Sequence, residues 1–131
     1  MMAWRSLPAI ALALALTGCN AQQQPPTTAA PSAGAHVSCI DLTNVTSRYP
    51  QPPSSIVFEV PGGTNYRNDL ESSCPGLERA NGSTIIETES QGKQLCRDDT
   101  VRVYDPVEAR ATGSGSFAKC RLGNFTLVAA H

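Results

Sequence analysis

Ser54-Ser55-Ile56-Val57-Phe58-Glu59-Val60, closed by Pro61-Gly62-Gly63, is the stretch on which the fold turns. Ile56, Phe58 and Val60 fall on one face and Val57 and Glu59 on the other, the period-two pattern of a half-buried strand, and the Pro-Gly-Gly that follows ends it in a turn. Working outward, residues 64–70, 83–89 and 100–105 are further expected strands; in the last, Val101 and Val103 oppose Arg102 and Tyr104. Residues 37–42 supply an earlier strand. Between it and the opening stretch, Tyr49-Pro50-Gln51-Pro52-Pro53 lacks the backbone donors of a central strand and is expected to be a loop. Cys74-Pro75-Gly76-Leu77 predicts a tight turn or one helical turn, and Asn81-Gly82 and Gln91-Gly92-Lys93 predict turns. Residues 109–116, which contain Gly113-Ser114-Gly115-Ser116, are expected to be a mobile loop. In residues 117–128 the alternation changes phase, since Leu122 and Phe125 are three apart, and a bulge at Gly123 would let both face the core. No helical stripe of three turns occurs. The expected fold is all-β: a small disulfide-bonded antiparallel barrel or curled sheet of about six strands.

The 131 residues leave room for one small domain. Residues 1–18 read as a lipoprotein signal peptide, with Arg5 as the positive charge and residues 7–16 as an uncharged run too short to span a bilayer. Leu16-Thr17-Gly18-Cys19 then forms a lipobox, so the chain is expected to be cut before Cys19 and that thiol to carry a lipid. Residues 19–36 are the lipidated Cys and a disordered Pro/Gln/Ala linker, without a charge or a large apolar side chain to repay ordering. Residues 37–131 are the small β domain. Asn20 rather than Asp after the lipidated residue favours outer-membrane sorting in a cell with two membranes. After Cys19 stand nine basic and eleven acidic residues, a net charge of −2 and no electrostatic footprint for nucleic acid.

Five cysteines become four once Cys19 is assigned to lipid, and an exported small domain is where disulfides are expected. Cys39, Cys74, Cys96 and Cys120 leave 34, 21 and 23 residues between them, with no Cys-x-x-Cys pair of zinc or redox type. Three connectivities are open. The expected pairing is Cys74 with Cys96 and Cys39 with Cys120, on the ground that first and last strands of a small closed sheet tend to be neighbours.

The order Cys39-Ile40, Tyr66-Arg67-Asn68-Asp69-Leu70, Cys74-Pro75-Gly76-Leu77, Leu95-Cys96-Arg97-Asp98-Asp99-Thr100-Val101 and Cys120-Arg121-Leu122-Gly123-Asn124-Phe125 resembles a family of small bacterial lipoproteins of unknown function with a four-cysteine core. The resemblance covers nearly all of the chain after the linker. This chain departs where the family tends to carry glycine, at Arg97 or Asp98, and at Thr43-Asn44-Val45. The resemblance implies a secreted, lipid-tethered, disulfide-bonded β domain and brings no activity.

Candidate sites are few. Tyr66, Arg67 and Asn68 form a polar cluster that could anchor a partner, against the plainer alternative of a strand whose Tyr packs inward while Arg67 faces solvent. Asp98, Asp99 and Asp105 could ligate a cation, or cap turns. Glu87 and Glu89 lie on one predicted strand face, as a hydrolytic carboxylate pair or a solvated one. His36, at the linker edge, and His131, the last residue, are the only bases for a nucleophile. Asn44, Asn81 and Asn124 are glycosylation sequons read as chance in a bacterial chain. No cofactor is expected and no metal ligand set is assigned. The function expected is that of a non-enzymatic binding or structural lipoprotein of the cell envelope, facing the periplasm and meeting the membrane through Cys19. An inhibitor of lysozyme-type enzymes, or an envelope enzyme of unrecognised type, are the alternatives.

Overall fold

The computed structural model describes residues 32–130. The expected signal peptide, Cys19, most of the linker and His131 lie outside them. Five short strands come first: β1 (His36–Val37), β2 (Cys39–Asp41), β3 (Ser47–Gln51), β4 (Ser55–Glu59) and β5 (Thr64–Asp69). One helical turn, α1 (Pro75–Glu78), leads to β6 (Ile85–Glu89), β7 (Gln94–Cys96) and β8 (Thr100–Tyr104). A two-turn helix, α2 (Pro106–Thr112), and a 3-10 turn precede β9 (Lys119–Arg121) and β10 (Phe125–Ala129). No helix among the described residues is long and apolar enough to cross a membrane.

All strand pairs are antiparallel and fall into three groups: a five-stranded sheet in the order β1-β10-β5-β4-β3, a three-stranded sheet β6-β8-β9 and a two-stranded ribbon β2-β7. They do not close into a barrel. On one side the chain passes from β9 to β10, joining the two larger sheets. On the other, Arg48 of β3 donates to the Thr88 hydroxyl of β6 at 3.0 Å, with no ladder between the strands. The core lies between the sheets. Ile56, Phe58, Leu77, Leu95, Val101, Leu122 and Phe125 are completely buried there, each contributing roughly 1.5–3 kcal/mol of apolar burial. Phe58 and Phe125 meet edge to face, 5.7 Å between centroids. Val57 points to the opposite face yet is also buried, because β4 is interior to its sheet and Tyr49 and Arg67 stand in register on either side.

Four expectations need correction. The proline-rich segment 49–53 is not wholly loop: Tyr49, Pro50 and Gln51 belong to β3, which lies at the sheet edge, the place in a sheet where a residue without an N–H is tolerated. The bulge at Gly123 is a complete change of sheet, with β9 in one and β10 in the other. Leu122 and Phe125 both reach the core, as the phase change requires. Residues 106–112 form a helix that hydrophobic periodicity could not reveal, since none of its residues is buried. Asp105 caps it, accepting from the amides of Val107 and Glu108, with Pro106 following in the first turn.

The disulfide pairing is the fourth. The bonds are Cys39–Cys96 and Cys74–Cys120, not Cys74–Cys96 and Cys39–Cys120. The premise was sound, because β1 and β10 are neighbours. The cysteines are not on those strands. The run 37–42 breaks at Ser38, so Cys39 sits on β2 directly opposite Cys96 of β7, and Cys120 sits on β9, in the other sheet from β10. Just before β2, Gly34 N–H donates to the Leu127 carbonyl at 2.7 Å, and His36 is in β1.

Candidate functional site

Tyr66, Arg67 and Asn68 are consecutive on β5, so strand alternation separates them. Tyr66 packs partly buried against the core, Arg67 points outward to Asp69 at 3.3 Å, and Asn68 is fully buried. The three make no common interface. Asn68 instead acts as a surrogate strand partner: its amide donates to the Gly123 carbonyl at 2.8 Å and accepts from the Gly123 N–H at 3.0 Å. Gly123 needs to be glycine there, since a Cβ would overlap the Asp69 carbonyl.

Glu87 and Glu89 do share the outer face of β6, as the alternation predicts, but within a closed charge network. Arg102 bonds Glu89, Lys119 reaches Glu89 at 2.6 Å, the Thr100 hydroxyl donates to it at 3.1 Å, and Tyr104 donates to Glu87 at 2.9 Å. The Lys119 hydrogen bond, supported by Thr100 and Arg102 and opposed by loss of hydration, holds the Glu89 carboxyl below its ordinary value. Loss of hydration, then the bond to Glu87, raises the Tyr104 hydroxyl. A carboxylate depressed on folding lends stability that is present above its unfolded pKa, near 4.5, and is lost as pH falls through the lower folded value. Denaturation midpoints followed from pH 7 down to about pH 2 should therefore fall less steeply for Glu89→Gln than for the parent chain. Parallel curves would remove Glu89 from the acid response.

The three aspartates act apart from one another, two of them on backbone and Asp98 on arginine side chains. Asp99 accepts from the Cys96 N–H at 2.7 Å, Asp105 caps α2, and Asp98 faces Arg121 at 3.7 Å. Among the described residues no three His, Cys, Asp or Glu side chains are grouped to hold a metal ion. Asp98 has φ +73°, a left-handed conformation that Asp tolerates and a β-branched residue does not. Asp98→Val is expected to cost about 1–2 kcal/mol and Asp98→Gly to stay within about 0.5 kcal/mol of the parent in urea denaturation, since the exposed ion pairs lost contribute little. Equal costs would show that the turn has changed shape. His36, on β1, has its Nδ1 3.0 Å from the Thr126 hydroxyl at the sheet surface.

A cleft of about 240 Å³ lies where α1, the end of β8, the start of α2 and the segment before β9 meet. Arg79, Asn81, Tyr104, Asp105, Glu108 and Phe117 are among the residues lining it. Gly76 brings α1 so close to β8 that a Cβ there would overlap the Val103 carbonyl. Tyr104 stacks on Phe117 with 5.0 Å between centroids and 22° between planes, giving the cleft an aromatic wall. Arg79 is anchored back over α1, its Nε 3.5 Å from the Pro75 carbonyl. Sequence reasoning missed this site because its residues come from four separated segments. The legible signal was Asp105-Pro106, a helix cap followed by a first-turn proline, which places Glu108 one turn on.

Fold and site together define a small, doubly disulfide-bonded, antiparallel β protein with a charged, aromatic-walled cleft. Comparison with protein-family models, curated proteins and solved structures found no match for the chain.

Proposed function

We propose that the chain is a lipid-anchored, non-enzymatic module of the bacterial cell envelope, tethered through Cys19 and facing the periplasm, and a member of the four-cysteine lipoprotein family it resembles. The observation that carries this reading is the cysteine arithmetic. Cys39, Cys74, Cys96 and Cys120 are used up in two bonds, which leaves Cys19, at the end of a signal-type apolar run, for the lipid. A body stapled in this way suits an oxidising compartment. The tether enters next to β10, where Gly34 and Ala35 bond Leu127, and about 3 Å per residue of extended linker would hold the body some tens of ångströms from the membrane.

Expression in a two-membrane bacterium fed a traceable fatty acid tests it. The parent chain should carry the label and float with membranes, and Cys19→Ser should lose both. A Cys19→Ser chain that still floated would overturn the anchor. Co-purification of the lipidated chain from envelope extract tests the role: an assembly component fits a structural or binding module, whereas a peptidoglycan hydrolase as sole partner would replace this reading with that of an inhibitor. Turnover of peptidoglycan or a generic ester by the purified chain would end the non-enzymatic assignment.

A further inference from the structure

We infer that the cleft between α1 and α2 binds a small zwitterion, an amino acid or the free ends of a short peptide, with Arg79 holding the carboxylate and Glu108 and Asp105 the ammonium group. Arg79, Asp105 and Glu108 line one cavity, and among the described residues none of the three has an ion-pair partner within 4.0 Å.

One oxygen of Asp105 is engaged by the Val107 and Glu108 amides, and among the described residues no donor bonds the other. A guanidinium therefore presents its donor fork, and two carboxylates their acceptors, to the same space. A ligand of one sign would meet attraction from one part of the cleft and repulsion from the other. A molecule carrying both signs satisfies each at once. The Tyr104–Phe117 wall offers apolar area to the stem between the charges, and about 240 Å³ admits an amino acid or a dipeptide of small side chains and little more. The inference concerns the body alone, so it holds or fails independently of the lipid anchor.

The test uses the isotope-labelled full chain, purified in detergent and titrated with alanine, alanyl-alanine, N-acetyl-alanyl-alanine and alanyl-alanine amide while backbone amide resonances are followed. Saturable shifts confined to the residues around Arg79, Glu108 and Phe117 are expected. Each blocked dipeptide should bind about tenfold more weakly than the free one, the loss of one charge-assisted hydrogen bond at a solvent-open site. Alanyl-alanine binding more tightly than alanine identifies a peptide end as the ligand, and equal binding a free amino acid. Arg79→Gln should erase the difference between acid and amide, and Glu108→Gln should reduce that between free and acetylated amine; both positions are exposed. Equal shifts from free and blocked forms, or none at the cleft by about 10 mM, overturn the inference.

Discussion

Replacing Cys74 and Cys120 together by alanine is expected to destabilise the body by about 4 kcal/mol or more, read as a large fall in the urea midpoint. The bond closes a loop of 46 residues, and restriction of the unfolded chain by a loop of that length amounts to about 4 kcal/mol. Cys39–Cys96 closes 57 residues and by the same reasoning is worth about as much. Burial separates them. Cys74 and Cys120 are 1% and 3% exposed and belong to the core cluster between the sheets, whereas Cys39 and Cys96 are half-buried. Removing the first bond thus also takes sulfur contacts from the core that holds α1 against β8. Domains of this size have about 5–15 kcal/mol in total. The Cys74/Cys120 variant should therefore be the less stable of the two double variants, and equal losses would mean that chain entropy alone sets the scale.

Asn68→Ala is expected to cost about 3 kcal/mol, out of proportion to the few atoms removed. The N–H and carbonyl of Gly123 would both lose their partner at a position where Asn68 is 0% exposed, and each unsatisfied buried group costs about 1–3 kcal/mol. Asn68→Leu restores the volume but not the bonds, so it should be destabilised comparably, and hydrogen exchange at the Gly123 amide should quicken in both. A leucine variant as stable as the parent, with that amide still protected, would show that the Gly123 backbone finds other partners. The consequence is structural: this pair fixes the point at which the chain leaves one sheet for the other.

Much of this body was legible in the sequence because strand periodicity survives wherever one face is buried. Ile56 and Phe58, Val101 and Val103, and the fitting of both Leu122 and Phe125 to the core all follow from spacing. Pro50 misled, because a proline excludes a central strand and not an edge one, and edge position is a property of the sheet. Helix α2 was hidden because it is held by its Asp105 cap rather than by an apolar face. The run 37–42 looked like one strand because nothing in it announces that Val37 pairs with Phe125 and Cys39 with Cys96.

By itself, then, the sequence determined the all-β class, the inward faces of the main strands and the four cysteines available to pair, since each follows from neighbours in the chain. Tertiary structure alone decided which cysteines met, where the sheets stayed open, and that Arg79, Asp105, Glu108 and Phe117 would share a cleft. The physical reason is the same throughout. Period and propensity act over a few residues, whereas strand pairing joins residues tens of positions apart and is chosen by burial of the whole core.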